Sequence, residues 1–240
     1  MALYKDIFHV RFLDVDKNNV LKPVSLVNYF QEIAGEHSSS AGFGLYDIPK
    51  INFSWILLGW GIKIYKLPKW NDKVDITTWH KGGNELFSYR DYKAYVSDEL
   101  IAVATSKWIA YDIKKGTITK ISKEFMENFP AESEVALECD FKKIKEPLNY
   151  DLIFNYTILR HDIDTNNHLN NAKYVNLAFE AIPEELYNNK CSYIEVMYKN
   201  SAMLGEEIKC LYSKINNKEH IVTIKNKDLN KLYAIVKLEF

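Results

Sequence analysis

The sequence predicts an α+β fold made of two tandem units, each a long helix wrapped by an antiparallel sheet. Two observations support this prediction. A motif in the first half of the chain recurs without a gap in the second half. In each half the motif follows one candidate strand and precedes a helical segment and four more candidate strands. A curled sheet around one helix buries the apolar faces of both elements.

Length and charge narrow the classes of function. With 240 residues, the chain can hold one large domain or two small ones. Hydrophobic residues make up 47% of it and charged residues 26%, as in soluble globular proteins. The 31 Lys and Arg residues nearly balance the 32 Asp and Glu residues. This balance argues against a protein that binds nucleic acid, which needs a concentrated basic surface.

The repeated motif begins at Asp14 in the first half and at Asp162 in the second, an offset of 148 residues. Over a window of 19 positions, 8 are identical. A bias towards Asn and Asp would not also place the same apolar residues, so we infer a duplication. The identical pairs are Asp14/Asp162, Asp16/Asp164, Asn18/Asn166, Asn19/Asn167, Leu21/Leu169, Val27/Val175, Asn28/Asn176 and Glu32/Glu180.

Each copy predicts the same order of elements. The first helix is expected to run towards Gly42 or Gly44. The second is expected to be capped by Asn170 or Asn171 and to end at Pro183. The predicted strands span residues 6–12, 54–65, 73–79, 86–96 and 101–112 in the first half, and 152–158, 192–203, 206–213, 220–225 and 231–240 in the second.

This pattern is that of the hot-dog fold, in which a sheet curls around one long helix. We predict an N-terminal hot-dog unit at residues 1–130, a linker at 131–146 and a C-terminal unit at 147–240. Two such units in one chain are expected to pair edge to edge as a pseudo-dimer, because pairing covers exposed strand edges.

The candidate catalytic residues are Asp164, Asn166 and His168, in the loop before the second helix. In an extended loop, residues two apart project to one side, so these three side chains are expected to converge. A carboxylate can orient an imidazole, which moves protons near neutral pH. A carboxamide can hold a carbonyl or a water, and the start of the helix offers N–H groups to a developing oxyanion.

Local capping is the alternative interpretation, since Asp and Asn favour turns and helix starts. It accounts for Asn170 and Asn171, and adequately for Asp162. It does not account for His168, because the first copy carries Val20 at that position. We therefore favour a functional role for His168.

Residues 162–174 resemble the signature of the acyl-acyl carrier protein (acyl-ACP) thioesterase family, an Asp-x-Asp-x-Asn-x-His-x-Asn-Asn-x-Lys-Tyr run. The resemblance implies a double hot dog, no cofactor, and hydrolysis of the thioester that links a fatty acyl chain to carrier protein. It places the family's catalytic Asp, Asn and His on Asp164, Asn166 and His168. Further landmarks are Trp55-Ile-Leu, Leu67-Pro68-Lys-Trp70-Asn-Asp72-Lys-Val, Thr78-Trp79, Arg90-Asp91 and Ala104-Thr-Ser-Lys-Trp108.

One position departs from the family pattern. The family places a Glu three residues after a Tyr in the next strand, and Ser201 occupies that place after Tyr198. The loss removes one proposed base, so either Asp164, alone or through His168, activates the water, or activity is reduced. A Ser201 nucleophile is not supported, because no base is assigned to it by spacing.

Three functions stay open. The first is hydrolysis of acyl-ACP, in which an acidic carrier protein is the partner. The second is hydrolysis of acyl-coenzyme A, in which coenzyme A takes the place of the carrier protein. The third is a non-catalytic protein that binds or senses acyl thioesters, suggested by Ser201. A dehydratase is a weaker alternative among hot-dog folds.

The three cysteines, Cys139, Cys191 and Cys210, are odd in number and form no CxxC pair or metal-ligand pattern. We interpret them as reduced thiols, which predicts a cytoplasmic protein without a metal. The N-terminal segment lacks the apolar core of a signal peptide, and the longest apolar stretch, near residues 55–60, is too short to span a bilayer. No membrane partner is expected, and homodimer formation stays open.

Overall fold

A computed structural model describes residues 3–121 and 123–240 of the chain. It divides into two units, one ending at Asp140 and the other spanning Phe141–Phe240. The boundary lies inside the segment predicted as a linker. No helix in the described residues is long and apolar enough to cross a bilayer.

The first unit has the predicted order of one strand, one long helix and four strands. The elements are β1 (Leu3–His9), α1 (Pro23–Ser40), α2 (Ile48–Ile51), β2 (Phe53–Ile64), β3 (Lys73–Gly83), β4 (Phe87–Val96), β5 (Glu99–Asp112), β6 (Thr117–Ile118) and α3 (Lys123–Asn128). The sheet runs in the order β1-β3-β4-β5-β2, with every pair antiparallel. The two-residue strand β6 pairs with β5.

Helix α1 is the long helix of this unit. Pro23 is its first residue, where a missing N–H removes no helical hydrogen bond. Its buried face includes Phe30, whose ring lies 5.1 Å from that of Tyr92 and 6.3 Å from that of Trp60. Burial of such large rings supplies most of the free energy that holds a helix on a sheet.

The second unit repeats this plan. The elements are β7 (Leu152–Thr157), α4 (Asn171–Ala181), α5 (Glu184–Tyr187), β8 (Tyr193–Tyr198), β9 (Glu207–Lys214), β10 (Glu219–Asn226) and β11 (Leu232–Glu239). The sheet runs in the order β8-β11-β10-β9-β7, again antiparallel throughout. Each unit is therefore a hot dog, as predicted; the edge-to-edge pairing of the two units stays a prediction.

The predicted boundaries of helix α4 are confirmed. The Asn170 side chain accepts the Ala172 N–H at 2.9 Å and so caps the helix. The helix ends at Ala181, and Ile182 is already extended, as expected for a residue before proline.

The strand predicted over residues 192–203 is too long. Strand β8 ends at Tyr198, because the N–H groups of Lys199 and Asn200 both turn to the carbonyl of Tyr233. Residues 199–205 instead form an irregular segment that lies against the candidate catalytic loop. A run of apolar and polar residues alone does not reveal this break.

The first ten residues of the predicted linker pack against the first unit. The Trp79 indole donates to the Glu134 carbonyl at 3.0 Å, and the Ala136 N–H donates to the Asp91 carboxylate at 2.8 Å. Within the second unit, Glu146 pairs with Lys225 at 2.8 Å.

A buried carboxylate anchors the chain ahead of α4. Asp162 accepts the Tyr156 hydroxyl at 2.6 Å and the Leu159 N–H at 2.9 Å, and pairs with Lys173 at 2.8 Å. Burial alone would raise the pKa of Asp162, but the Lys173 ammonium and the Tyr156 hydroxyl together hold it below its usual value. Its repeat partner Asp14 is likewise buried, so a structural role is shared by both copies.

Replacing Asp162 with alanine is expected to lower the free energy of unfolding by about 3 kcal/mol at neutral pH, because partners of a buried carboxylate are left unpaired. Because the pKa of Asp162 is lower in the folded state than in the unfolded state, its carboxylate stabilises the fold at pH values above the unfolded-state pKa. This stabilisation is lost as the pH falls through the folded-state pKa. The difference between parent and variant should therefore shrink below about pH 4. Urea unfolding at neutral and acid pH checks this; an equal difference at both would contradict it.

Candidate active site

The loop that carries Asp164, Asn166 and His168 is a tight turn, so the predicted extended conformation is wrong. The Asp164 N–H donates to the His168 carbonyl at 2.8 Å, and the Asn167 N–H donates to the Asp164 carbonyl at 3.1 Å. Asn167 has a left-handed φ of 61°, which asparagine tolerates better than most residues. Alternation of side chains along a strand therefore does not apply here.

The Asp164 carboxylate holds this turn together. Its Oδ1 accepts the Asn166 N–H at 2.8 Å and the His168 N–H at 3.1 Å. The carboxylate thus contacts the backbone of the other two candidates, which fixes their positions relative to it. That it also orients the His168 ring stays a prediction.

The functional atoms of the turn are available. Within residues 3–121 and 123–240, Asp164 Oδ2, the Asn166 carboxamide and the His168 imidazole have no hydrogen-bond partner. Asn166 is exposed, while Asp164 and His168 are partly exposed. The turn therefore presents one carboxylate oxygen, one amide and one imidazole to whatever binds there.

The first copy builds the same turn without the histidine. Asp16 Oδ1 accepts the N–H groups of Asn18 at 2.8 Å and Val20 at 3.0 Å, and Asn19 has the same φ of 61°. Asn18 differs from its counterpart because its amide lies 3.5 Å from Asp16 Oδ2. Since the turn forms equally well around Val20, its geometry does not require His168.

Both turns are docked in the same way on an irregular segment of their own unit. His168 forms an isolated β-bridge with Met203, and the Leu169 N–H donates to the Ala202 carbonyl at 2.9 Å. In the first unit, Val20 forms the bridge with Lys69. These bonds fix the backbone of His168 against the segment that follows β8.

The start of α4 offers an N–H that the first copy lacks. The Asn170 side chain takes the Ala172 N–H, and the Asn170 carbonyl takes the Lys173 N–H at 2.9 Å. No described residue accepts the Asn171 N–H, whereas α1 begins with Pro23, which has none. A free N–H at a helix N-terminus favours developing negative charge.

Ser201, at the family Glu position, is exposed in the segment after β8. Its carbonyl lies 3.4 Å from the Lys231 ammonium. A carboxylate follows this segment directly: Glu206 Oε2 accepts the Met203 N–H at 2.7 Å and the Tyr233 hydroxyl at 2.9 Å. Asp72 accepts the Lys69 N–H at the matching place in the first unit, so Glu206 has a structural role that is not specific to the second copy.

The acyl chain that the resemblance implies needs an apolar tunnel, which the first helix and its sheet are expected to provide. A recess of about 610 Å³ lies beside α1, with Tyr4 and Leu45 among its walls. The carboxylates of Glu32 and Glu36 also line it, which makes it a poor receptor for a hydrocarbon chain. The path of the acyl chain stays a prediction.

Metal ligation has no support in the described part of the chain. No three His, Cys, Asp or Glu side chains gather there in an arrangement that could hold an ion. No disulfide joins the three cysteines, all of which are described. Burial raises the pKa of Cys191 and of Cys210 to about 12, so both thiols are protonated.

The chain consists of two hot-dog units. The second unit displays a carboxylate, an amide and an imidazole on the turn before its helix, which is a site suited to proton transfer. These features define a class of double hot-dog proteins. The model of the acyl-ACP thioesterase N-terminal domain matches residues 1–129, and that of the C-terminal domain matches residues 145–238. The chain therefore belongs to the acyl-ACP thioesterase family.

Individual relatives agree with this assignment. The chain is 28% identical over 241 residues to an oleoyl-acyl carrier protein thioesterase, chloroplastic, of Coriandrum sativum, covering 92% of this chain and 65% of the relative. It is 29% identical over 203 residues to oleoyl-acyl carrier protein thioesterase 1 of Arabidopsis thaliana, covering 76% of this chain and 56% of the relative. The chain thus spans less than two thirds of the length of these curated relatives.

Solved structures support the fold over nearly the whole chain. An acyl-ACP thioesterase from Bacteroides thetaiotaomicron superposes with a TM-score of 0.90 at 22% identity, covering 99% of this chain and 97% of that one. At this level of identity the structural similarity establishes the fold alone, and the chemistry has to be inferred from the residues of the site.

Free N–H groups at the start of the second helix are predicted from the sequence, and the Asn171 N–H is one of them. The Tyr174 hydroxyl is not predicted. It is visible in the sequence as a difference between the copies, since Tyr174 aligns with Leu26, just as His168 aligns with Val20. Positions that differ between the copies indicate what one unit does and the other does not.

Proposed function

We propose that the chain hydrolyses the thioester of fatty acyl-ACP and releases free fatty acid, a reaction of fatty acid biosynthesis. The observation that carries this proposal is the imidazole of His168 on a turn that the first copy builds around Val20. The family to which the chain belongs supplies the substrate class.

The mechanism assigns one task to each group. Asp164 Oδ2 takes one proton from a water whose oxygen attacks the thioester carbonyl carbon, and the His168 imidazole relays that proton. The Asn166 amide and the Asn171 N–H donate to the carbonyl oxygen, which becomes an oxyanion in the tetrahedral intermediate. When the intermediate collapses, the carbon–sulfur bond breaks, and the proton held by the enzyme passes to the departing thiolate of the carrier.

The partner that follows from this proposal is an acidic carrier protein, and the enzyme needs no cofactor. With one acyl chain on both carriers, we expect kcat/KM to be at least about tenfold higher for acyl-ACP than for acyl-coenzyme A, and to fall as salt screens the attraction of the acidic carrier. A thiol-release assay at two ionic strengths measures both. Equal values for the two carriers, unaffected by salt, would favour the coenzyme A alternative.

Ser201 favours a second candidate function, a non-catalytic protein that binds or senses acyl thioesters. Tight binding of acyl-ACP without release of free thiol would establish it. The cytoplasmic location, the absence of membrane and nucleic-acid partners, and the homodimer stay predictions.

A further inference from the structure

The two units differ in a set of hydroxyl groups behind the turn. Three tyrosines of the second unit take positions that are aliphatic in the first. Buried hydroxyls are costly unless they are used, so a set confined to one copy needs a reason. The replacements, given as first copy to second, are Leu26 to Tyr174, Ile64 to Tyr198 and Ile101 to Tyr233.

These positions are equivalent because they occupy the same places in the motif and in the strand pairing of their own units. Tyr174 and Leu26 are related by the offset of 148 residues that aligns the two motifs. The other two pairs occupy the same places in the antiparallel register of their own sheets. Tyr198 is the strand partner of Ala234 in the second unit, as Ile64 is of Ala102 in the first. The Lys199 N–H donates to the Tyr233 carbonyl in the second unit, as the Tyr65 N–H does to the Ile101 carbonyl in the first.

Two of the three hydroxyls are committed to protein acceptors. Tyr198 donates to the Asn171 carbonyl at 2.8 Å, and Tyr233 donates to Glu206 at 2.9 Å. The Tyr174 oxygen is different, because it accepts the Ala202 N–H at 3.1 Å. No described residue accepts the hydrogen of the Tyr174 hydroxyl, although the side chain is only 2% exposed.

The backbone of the turn does not need this hydroxyl. In the first unit the place of Ala202 is taken by Pro68, which has no N–H, and the place of Tyr174 by Leu26. The Leu21 N–H nevertheless donates to the Pro68 carbonyl at 2.8 Å, as Leu169 does to Ala202. The hydroxyl therefore serves something other than the shape of the turn.

The surroundings of the hydroxyl point to what it binds. Burial, with the charges of Glu206 and Asp164, raises the pKa of Tyr174 to about 12, although the Ala202 N–H opposes the shift. The phenol therefore keeps its hydrogen at neutral pH. A hydrogen bond accepted from Ala202 also strengthens the phenol as a donor. Asp164, a neighbouring group, has one oxygen that no described residue engages.

We propose that Tyr174 is a further catalytic residue: its hydroxyl donates a hydrogen bond to the attacking water, which in turn donates to Asp164 Oδ2. The inference rests on the proposed function, because it names a second anchor for the water of that reaction. The water accepts from Tyr174 through one lone pair and keeps the other for the carbonyl carbon. Tyr174 itself gives up no proton.

The test compares two variants of this pair with a matched control. Tyr174→Phe removes only the hydroxyl and leaves the Ala202 N–H without an acceptor. Tyr174→Leu with Ala202→Pro removes that N–H as well and reproduces the pair found in the first unit. Tyr29→Phe is the control, because it removes a buried hydroxyl that donates to Asp14 at 2.8 Å in the unit without the histidine.

With acyl-ACP as substrate, kcat is expected to fall about a hundredfold in both Tyr174 variants, with KM changed less than about twofold, while Tyr29→Phe keeps the parental kcat. Thermal unfolding verifies that each protein is folded. A parental kcat in the double variant would overturn the inference, because the hydroxyl would then serve only the Ala202 N–H. If the double variant does not fold, a parental kcat in Tyr174→Phe overturns it.

His168→Val, assayed in parallel, separates this inference from the proposed function. If the parent protein releases no thiol from acyl-ACP, the proposed function fails; if His168→Val keeps the parental rate, only the role assigned to His168 fails. If it is inactive while the Tyr174 variants keep the parental kcat, only the role of Tyr174 fails.

Discussion

Replacing His168 with valine is expected to lower kcat for acyl-ACP hydrolysis by about a thousandfold and to leave the thermal unfolding midpoint close to that of the parent. Valine is the informative replacement, because the first copy holds Val20 in a turn with the same hydrogen bonds. The variant therefore removes a proton carrier and keeps the backbone that carried it. Thiol release and thermal unfolding measure the two quantities.

Val20→Ala is the matched control, because it alters the same position of the first copy and should leave kcat unchanged. A parental kcat in His168→Val would show that the imidazole takes no part in the reaction. A loss of kcat in both variants would show that the position acts through stability.

Replacing Asp164 with asparagine is expected to lower kcat by about a hundredfold or more while preserving the turn. The amide oxygen of asparagine can still accept the N–H groups of Asn166 and His168, now bonded to Asp164 Oδ1. Only the negative charge, which draws the proton from the water, is lost. Steady-state kinetics on acyl-ACP, with circular dichroism for the fold, measures the outcome.

Asp16→Asn is the matched control for this variant, since Asp16 makes the same two backbone hydrogen bonds in the first copy. It should change stability about as much as Asp164→Asn and leave kcat alone. Equal kinetic losses in the two variants would mean that both carboxylates act only on the turns, and would remove Asp164 from the mechanism.

Much of the fold can be predicted from the sequence because the two halves of the chain are copies that can be compared with each other. The repeat around Asp14 and Asp162 predicts two units, and alternation of apolar residues predicts their strands. Asn170 and Pro183 mark the ends of α4 correctly because capping and the restriction before proline are local effects. Such signals need no knowledge of distant contacts.

The site is less predictable from the sequence, for one local and one long-range reason. The turn at Asp164 closes on itself, which alternation along an extended chain does not anticipate. Strand β8 stops at Tyr198 because the following N–H groups turn to Tyr233, more than thirty residues away in the chain. This segment brings the Ala202 N–H to the Tyr174 hydroxyl, a contact between residues 28 positions apart that local patterns do not predict.

A single turnover of acyl-ACP in water enriched in oxygen-18 tests most directly whether water anchored at Asp164 and His168 attacks the thioester. One labelled oxygen is predicted in the released fatty acid, with none in the peptide that contains Asp164. Label in the Asp164 carboxylate would reveal a covalent acyl-enzyme, and an acyl-ACP that stays intact would reveal a binding protein. Either result would contradict the account.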